Sequence, residues 1–320
     1  MPRIDPHVHF RDEEQSYKET IAHGLKTARE QGVEYVFDMP NTAKLVLWEA
    51  DVLRRLALVP ESEKNRYFLY VGATTDESQL KEAVRLVREK KEVVGIKMFA
   101  GKSTGNLAVL QEEEQRKVYS ILAQENYDGV LIVHCEKEGL MKDFFDPQQP
   151  ISHALSRPKI AEIESVKDQI RLVKETGFKG ILHIGHISCP EAVELVDQAR
   201  ADINIVCGVT PHHLLWDYSK LQEPNGALYK MNPPLRSWED VVILRKLLKQ
   251  GKIDWIETDH APHTIGEKLH GSKNCPSGYP SLYLYKELVE KNLPAWGLTS
   301  EEIDRITFHN IVKIFNLNIE

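Results

Sequence analysis

Three things are missing from this 320-residue chain, and each narrows what it can be. No Gly-rich loop follows its first apolar run, which argues against a dinucleotide-binding fold. It has no lysine- or arginine-rich run to set against a formal net charge of −7, so nothing marks a nucleic-acid surface and the mild acidity serves solubility. Its four cysteines, Cys135, Cys189, Cys207 and Cys275, form no Cys-X-X-Cys pair. That usage predicts reduced thiols in a cytoplasmic protein. Apolar runs are also short, so the sequence predicts neither a membrane span nor a signal peptide. Linkers, low-complexity tracts and repeats are lacking too, which predicts one domain over residues 1–320.

What is present is a regular alternation. A hydrophobic content of 42% is ample for a large core. Short β-branched runs at 3–9, 33–38, 67–72, 93–99, 129–134, 180–186, 203–209 and 253–258 read as strands. Stretches of helical periodicity lie between them, at 17–31, 45–58, 77–90, 111–125, 161–176, 189–199 and 237–250, with closing helices near 282–290 and 300–315. Eight strands with intervening helices predict an α/β fold, a (β/α)8 TIM barrel. The long loop 136–157, with Phe144-Phe145-Asp146-Pro147, is either a cover for a site or a surface excursion.

A barrel of this class works at the carboxyl ends of its strands. Those ends carry His7 and His9, Lys97, His134, His183 and His186, and Asp259. His7 and His9 are alternate residues of one strand, so both reach the same point, and neutral imidazole suits a divalent metal there. Alone, such a pair also fits a polar turn. The coincidence of six residues on one face predicts a metal centre of His7, His9, Lys97, His134, His186 and Asp259. His183 is an odd number of residues from His186 and reads as structural.

The segments Asp5-Pro6-His7-Val8-His9-Phe10-Arg11, Met39-Pro40-Asn41-Thr42, Gly95-Ile96-Lys97-Met98-Phe99, Thr210-Pro211-His212-His213-Leu214, Lys230-Met231-Asn232-Pro233-Pro234-Leu235-Arg236 and Thr258-Asp259-His260-Ala261-Pro262-His263 together resemble the dihydroorotases of the amidohydrolase superfamily, metal-dependent hydrolases of cyclic amides. The likeness runs from about Arg3 to the Asn310 region. It implies one zinc on His7, His9 and Asp259 and a second on His134 and His186. The two would be bridged by a hydroxide and by Lys97 as its carbamate, because a bare ammonium has no lone pair to share. Asp259 would shuttle the proton as general acid and base. Arg11 and Asn41, with His263, would hold the substrate carboxylate, while Asn232 and the Ser277-Gly278 backbone would contact the pyrimidine ring.

The activity so implied is the interconversion of dihydroorotate and N-carbamoyl-aspartate in pyrimidine synthesis. A small molecule would be the partner, with no nucleic acid or membrane. Homo-oligomerisation and association with another pyrimidine enzyme stay open. Two rivals are a hydantoinase- or allantoinase-like cyclic amidase and an inactive homologue serving as a binding subunit. Three departures from the family stand out. The chain leaves no room for an added β-sandwich, Gly208 occupies a position that is often acidic, and Arg11-Asp12-Glu13 lacks the usual Glu-Pro-Gly after the arginine. His212 and His213 read as loop-structuring.

Overall fold

The computed structural model describes residues 1–103, 107–269 and 275–319. Eight parallel strands follow one another in chain order: β1 (Ile4–Val8), β2 (Tyr35–Asp38), β3 (Tyr67–Gly72), β4 (Val93–Phe99), β5 (Val130–His134), β6 (Ile181–Ile184), β7 (Ile205–Val209) and β8 (Trp255–Ile256). A parallel bridge from Val8 to His260 joins the two edges, and the sheet becomes the expected barrel.

Between the strands run α1 (Ile21–Glu30), α2 (Glu49–Ala57), α3 (Glu77–Glu89), α4 (Glu112–Gln124), α5 (Ser152–Ser156), α6 (Lys159–Thr176), α7 (Pro190–Ala199), α8 (Pro211–Leu215) and α9 (Trp238–Lys249). Local chemistry sets their ends. The Asp76 side chain caps α3 at Gln79 N–H, Ser237 and Asp240 form a reciprocal cap on α9, and Gly177 at φ +71° closes α6 in the left-handed conformation. The first helix starts at Ile21, four residues later than its periodicity suggests. Thr20 caps it and an Asp12 carboxylate oxygen accepts from Ile21 N–H.

Every residue of β4 is buried, as expected of a strand covered on both sides. Phe315, on the segment after the last helix, packs edge-on against Phe37 and Tyr70 and lies against Trp255. With Phe308 and Ile311 it belongs to one apolar cluster with Ile4, Phe37, Tyr70 and Trp255. That cluster is apolar throughout, so the polar chemistry is left to the carboxyl ends of the strands. Among the described residues no helix is long and apolar enough to cross a membrane.

Three predicted strands stop short at their carboxyl ends, β1 at Val8, β6 at Ile184 and β8 at Ile256; past the last two, His186 (φ +42°) and Asp259 (φ +50°) have left-handed backbones that no pleated strand accommodates. Both are predicted metal ligands. Non-glycine residues in this region are a recurrent mark of functional sites.

Candidate active site

The site begins where β1 meets β8. Asp5 accepts from Thr258 N–H at 3.0 Å and from His7 N–H at 3.2 Å, Asp259 N–H donates to the His7 carbonyl at 2.9 Å, and His9 N–H donates to the His260 carbonyl at 2.7 Å. These links bring His7, His9 and Asp259 together, all buried, with a ligand atom from each within 4.8 Å of the others. Asp259 Oδ1 lies 2.9 Å from His9 Nε2 and 3.4 Å from His7 Nε2. The other nitrogen of His9, Nδ1, is 2.7 Å from Asn41 Oδ1. In a neutral ring Nδ1 donates there, which leaves a lone pair at Nε2 facing a carboxylate oxygen. A shared cation would satisfy both acceptors.

The second half comes from β4, β5 and β6. His134 Nε2 is tied to Glu136 at 2.9 Å, so its Nδ1 is presented to His186 Nε2 at 3.1 Å. Two nitrogens on one tetrahedral zinc would stand about 3.3 Å apart, given N–Zn distances near 2.05 Å. The four rings form a chain, with centroids 5.2 Å apart for His9 and His7, 5.1 Å for His7 and His186, and 4.8 Å for His186 and His134. Lys97 Nζ is buried 4.8 Å from the Phe99 ring centroid.

Both nitrogens of His7, Nδ1 of His186 and Nζ of Lys97 are buried without a hydrogen-bond partner. Native interiors leave few such atoms; of these, His7 Nε2 stands beside Asp259 Oδ1, and with Lys97 Nζ and the facing nitrogens of His134 and His186 this donor set fits divalent metal. Burial lowers the basicity of His7 to about 4 and depresses His134 and His186, keeping the imidazoles in their ligating neutral form. Burial also brings Lys97 down to about 8, near enough to neutrality to expose a nucleophilic amine. For Asp259 burial acts upward, but His9 and His7 outweigh it and hold the carboxyl below the usual range.

A cleft opens over these ligands. His9, His134, His186 and Asp259 form its floor, and Arg11, Asn41, Asn232, Ala261, Ser277 and Gly278 are among its other lining residues. Buried Arg11 donates from Nε to the Pro262 carbonyl at 3.2 Å, with Nη2 3.3 Å from His263 Nε2. Lys18 Nζ lies 3.1 Å from His263 Nδ1, and His263 Nε2 is 3.2 Å from the Ser277 carbonyl. Lys18 is itself paired with Glu267 at 2.8 Å, so Arg11 is the cationic group at this end of the cleft. Asn232 donates to Ser103 Oγ at 3.4 Å, and its Oδ1 is buried without a partner. Gly278 has φ +145°, and a Cβ there would stand 2.5 Å from the Ala261 carbonyl oxygen, so only glycine fits. Each of the predicted substrate residues except His263 lines the cleft itself, and His263 stands behind Arg11.

Sequence reasoning missed the carboxylates beneath the ligands. Glu136 accepts from His134 and from Arg157, and Glu257 lies 2.9 Å from His183 Nε2. Their signal was available: Glu136 follows His134 by two residues and Glu257 precedes Asp259 by two, each an acid beside a buried strand end. His183 packs against the Trp255 ring. His212 Nδ1 is 2.8 Å from Ser281 Oγ, while His213 contacts Thr210 and the Pro233 carbonyl, so both hold loops. The 136–157 excursion contributes no residue to the cleft lining; His153 on α5 anchors it to the Met231 carbonyl at 2.8 Å, beside Asn232. All four cysteines are buried and unpaired.

No family model matches the chain. Individual proteins do. A dihydroorotase of Brevibacillus brevis is 34% identical over 299 residues, 92% of this chain and 68% of that protein. A dihydroorotase of Pyrococcus furiosus is 32% identical over 323 residues, 98% of this chain and 66% of that protein. The chain thus spans about two thirds of the length of these relatives. Among solved structures, a D-hydantoinase superposes with a TM-score of 0.84 at 21% identity, covering 97% of this chain and 70% of the other. A dihydroorotase from Campylobacter jejuni gives 0.71 at 19% identity, covering 100% and 84%. The structural likenesses speak for the barrel alone; the sequence identity across nearly the whole chain carries the assignment, and the chain belongs to the dihydroorotase family of cyclic-amide hydrolases.

Proposed function

We propose that this chain catalyses the reversible hydrolysis of (S)-dihydroorotate to N-carbamoyl-L-aspartate, the third step of pyrimidine synthesis. The observation that carries the reading is a single cleft with a buried Arg11 in its wall and unpartnered ligand atoms beneath it. A ring bearing a free carboxylate suits that pairing of a cationic wall with a hydrolytic floor. Hydantoin and allantoin have no such carboxylate.

His7, His9 and Asp259 would hold one zinc ion, and His134 and His186 a second, with Lys97 as its carbamate between them. When bound, the ions would supply a water acidified to near neutrality and polarise the amide carbonyl. Arg11 and Asn41, backed by His263, orient the carboxylate, and Asn232 with the Ser277-Gly278 backbone sets the ring. Asp259 accepts the proton of the attacking water and returns it to the amide nitrogen as the ring opens. In the reverse direction it takes that proton back. Burial of Lys97, without an acid in contact, supports its neutral amine as the acceptor of carbon dioxide.

Residues 1–320 would act as one domain in the cytoplasm, where four reduced thiols belong. Its partner is a small molecule. The test is purified protein with zinc and bicarbonate, offered dihydroorotate, hydantoin and allantoin in parallel. Preference for dihydroorotate is expected, and preference for either other ring would overturn the substrate assignment.

A further inference from the structure

Glu257 directly follows β8, has no solvent exposure and reaches three elements at once. Its Oε1 accepts from the backbone N–H of His186, and the same oxygen lies 3.6 Å from His7 Nδ1. Its Oε2 accepts from Trp255 Nε1 at 3.0 Å and lies 2.9 Å from His183 Nε2. His186 is held at φ +42°, a sparsely populated conformation for a non-glycine residue that persists when its surroundings enforce it. A buried acceptor on that N–H is such an enforcement. For His7 the carboxylate, 3.6 Å from Nδ1, is not hydrogen-bonded, but its charge favours a proton on that nitrogen, which leaves the Nε2 lone pair toward Asp259.

Beside the Glu257 carboxyl the neighbouring strand β7 has no side chain, because Gly208, the register partner of Trp255, stands there. A Cβ added at Gly208 would stand 2.4 Å from Glu257 Cδ and 2.5 Å from Oε2. In a glutamate, Cβ and Cδ are themselves separated by two C–C bonds of about 1.52 Å, a span of about 2.5 Å. A glutamate at 208 could therefore put its carboxyl carbon where that of Glu257 lies, but only if residue 257 withdrew and the Trp255 indole, whose Nε1 would stand 2.7 Å from the new Cβ, shifted by a few tenths of an ångström.

We propose that Glu257 is the positioning residue of the metal centre, setting His7 and His186 from a single carboxylate, and that the glycine at 208 is the space which lets β8 rather than β7 deliver it. The inference rests on the metal-centre reading above. Glu257 touches no substrate and is not itself a ligand. The carboxylate is what matters, and the strand that carries it is exchangeable.

The experiment uses the full chain and four variants: Glu257→Gln, Glu257→Ala, Gly208→Glu and the double Gly208→Glu/Glu257→Ala. Zinc affinity is measured by chelator competition, and folding of the metal-free protein by near-ultraviolet circular dichroism and urea midpoint. Loss of an outer partner of a metal-bound histidine typically weakens affinity by about 10- to 100-fold, so that loss is expected for both Glu257 variants while the metal-free Gln variant folds as wild type does. Gly208→Glu alone should lose stability, with two carboxylates forced into one buried space. The double variant should regain zinc affinity to within about threefold of wild type, a recovery that a merely structural role would not produce. Unchanged affinity in Glu257→Gln, or a double variant no better than Glu257→Ala, overturns the proposal and leaves the metal-centre reading standing. Wild type that binds no divalent cation overturns both.

Discussion

Arg55 on α2 donates from Nη2 to the Asp38 carboxylate at 2.7 Å and, from the same nitrogen, to the Phe10 carbonyl at 2.6 Å. Asp38 in turn accepts from Phe10 N–H at 2.9 Å and from Tyr67 at 2.6 Å. A fully buried ion pair thus grips both backbone groups of the residue between His9 and Arg11. Replacing Arg55 by methionine would strand Asp38 as a buried charge, an event that costs about 3–5 kcal/mol. Urea unfolding should show that loss; an unmoved midpoint would show that the pair does not clamp the segment.

Lys97→Ala should retain the fold and lose the second zinc ion together with most activity. Small carboxylic acids should restore part of both, by supplying the anionic bridge. Metal content per chain checks the first half and an acetate titration the second. Full zinc occupancy in the variant would place the bridge elsewhere, as would a wild-type mass without added carbon dioxide alongside two bound ions.

Asp259→Asn separates proton transfer from fold. An amide cannot shuttle the proton, and loss of a general acid or base typically lowers the rate by about 10² to 10⁴, to which weaker metal binding adds. Circular dichroism should stay that of wild type. Turnover within a few-fold of wild type would mean that another group moves the proton.

Arg11→Ala tests the carboxylate end of the cleft. A charge-assisted hydrogen bond is worth about 1.5–3 kcal/mol, so kcat/KM for dihydroorotate should fall by roughly 10- to 100-fold with bound metal unchanged. Weak activity on dihydrouracil, which has no carboxylate, should hardly move. Equal losses on both rings would instead make Arg11 a support of the loop it shares with Pro262 and His263.

Lys268 gives a pH signature. Its buried ammonium donates to the carbonyls of Lys230, Pro276 and Gly278 at 2.8, 3.1 and 2.9 Å, tying down the segment that carries Ser277, and burial lowers it from 10.5 to about 7. Between about 7 and 10.5 the unfolded chain keeps a proton that the folded chain has released. Stability from this group therefore rises with pH through that window and is lost as pH falls toward 7. Urea midpoints from pH 7 to 10 should climb more steeply for wild type than for Lys268→Met. Parallel slopes would show that the lysine titrates normally.

The barrel was legible in the sequence because its strands are short β-branched runs buried on both sides, and its helices carry their own caps at Asp76, Ser237 and Gly177. The positions proposed as ligands were legible for a related reason. Polar residues such as His7, His134 and Asp259 interrupt apolar runs at their carboxyl ends, and in a barrel those ends meet at one place. Local pattern says nothing of what lies across the barrel. Only the tertiary structure could set Glu257 against His186 or Arg55 under Phe10, since each pair joins separate strand ends or loops through side-chain length and backbone angle. It also held the left-handed backbones past the ends of β6 and β8: His186 N–H donates to Glu257 and Asp259 N–H to the His7 carbonyl, contacts that fix a conformation histidine and aspartate merely tolerate. The residue types at the site follow from the sequence, and their geometry from the closure of the barrel.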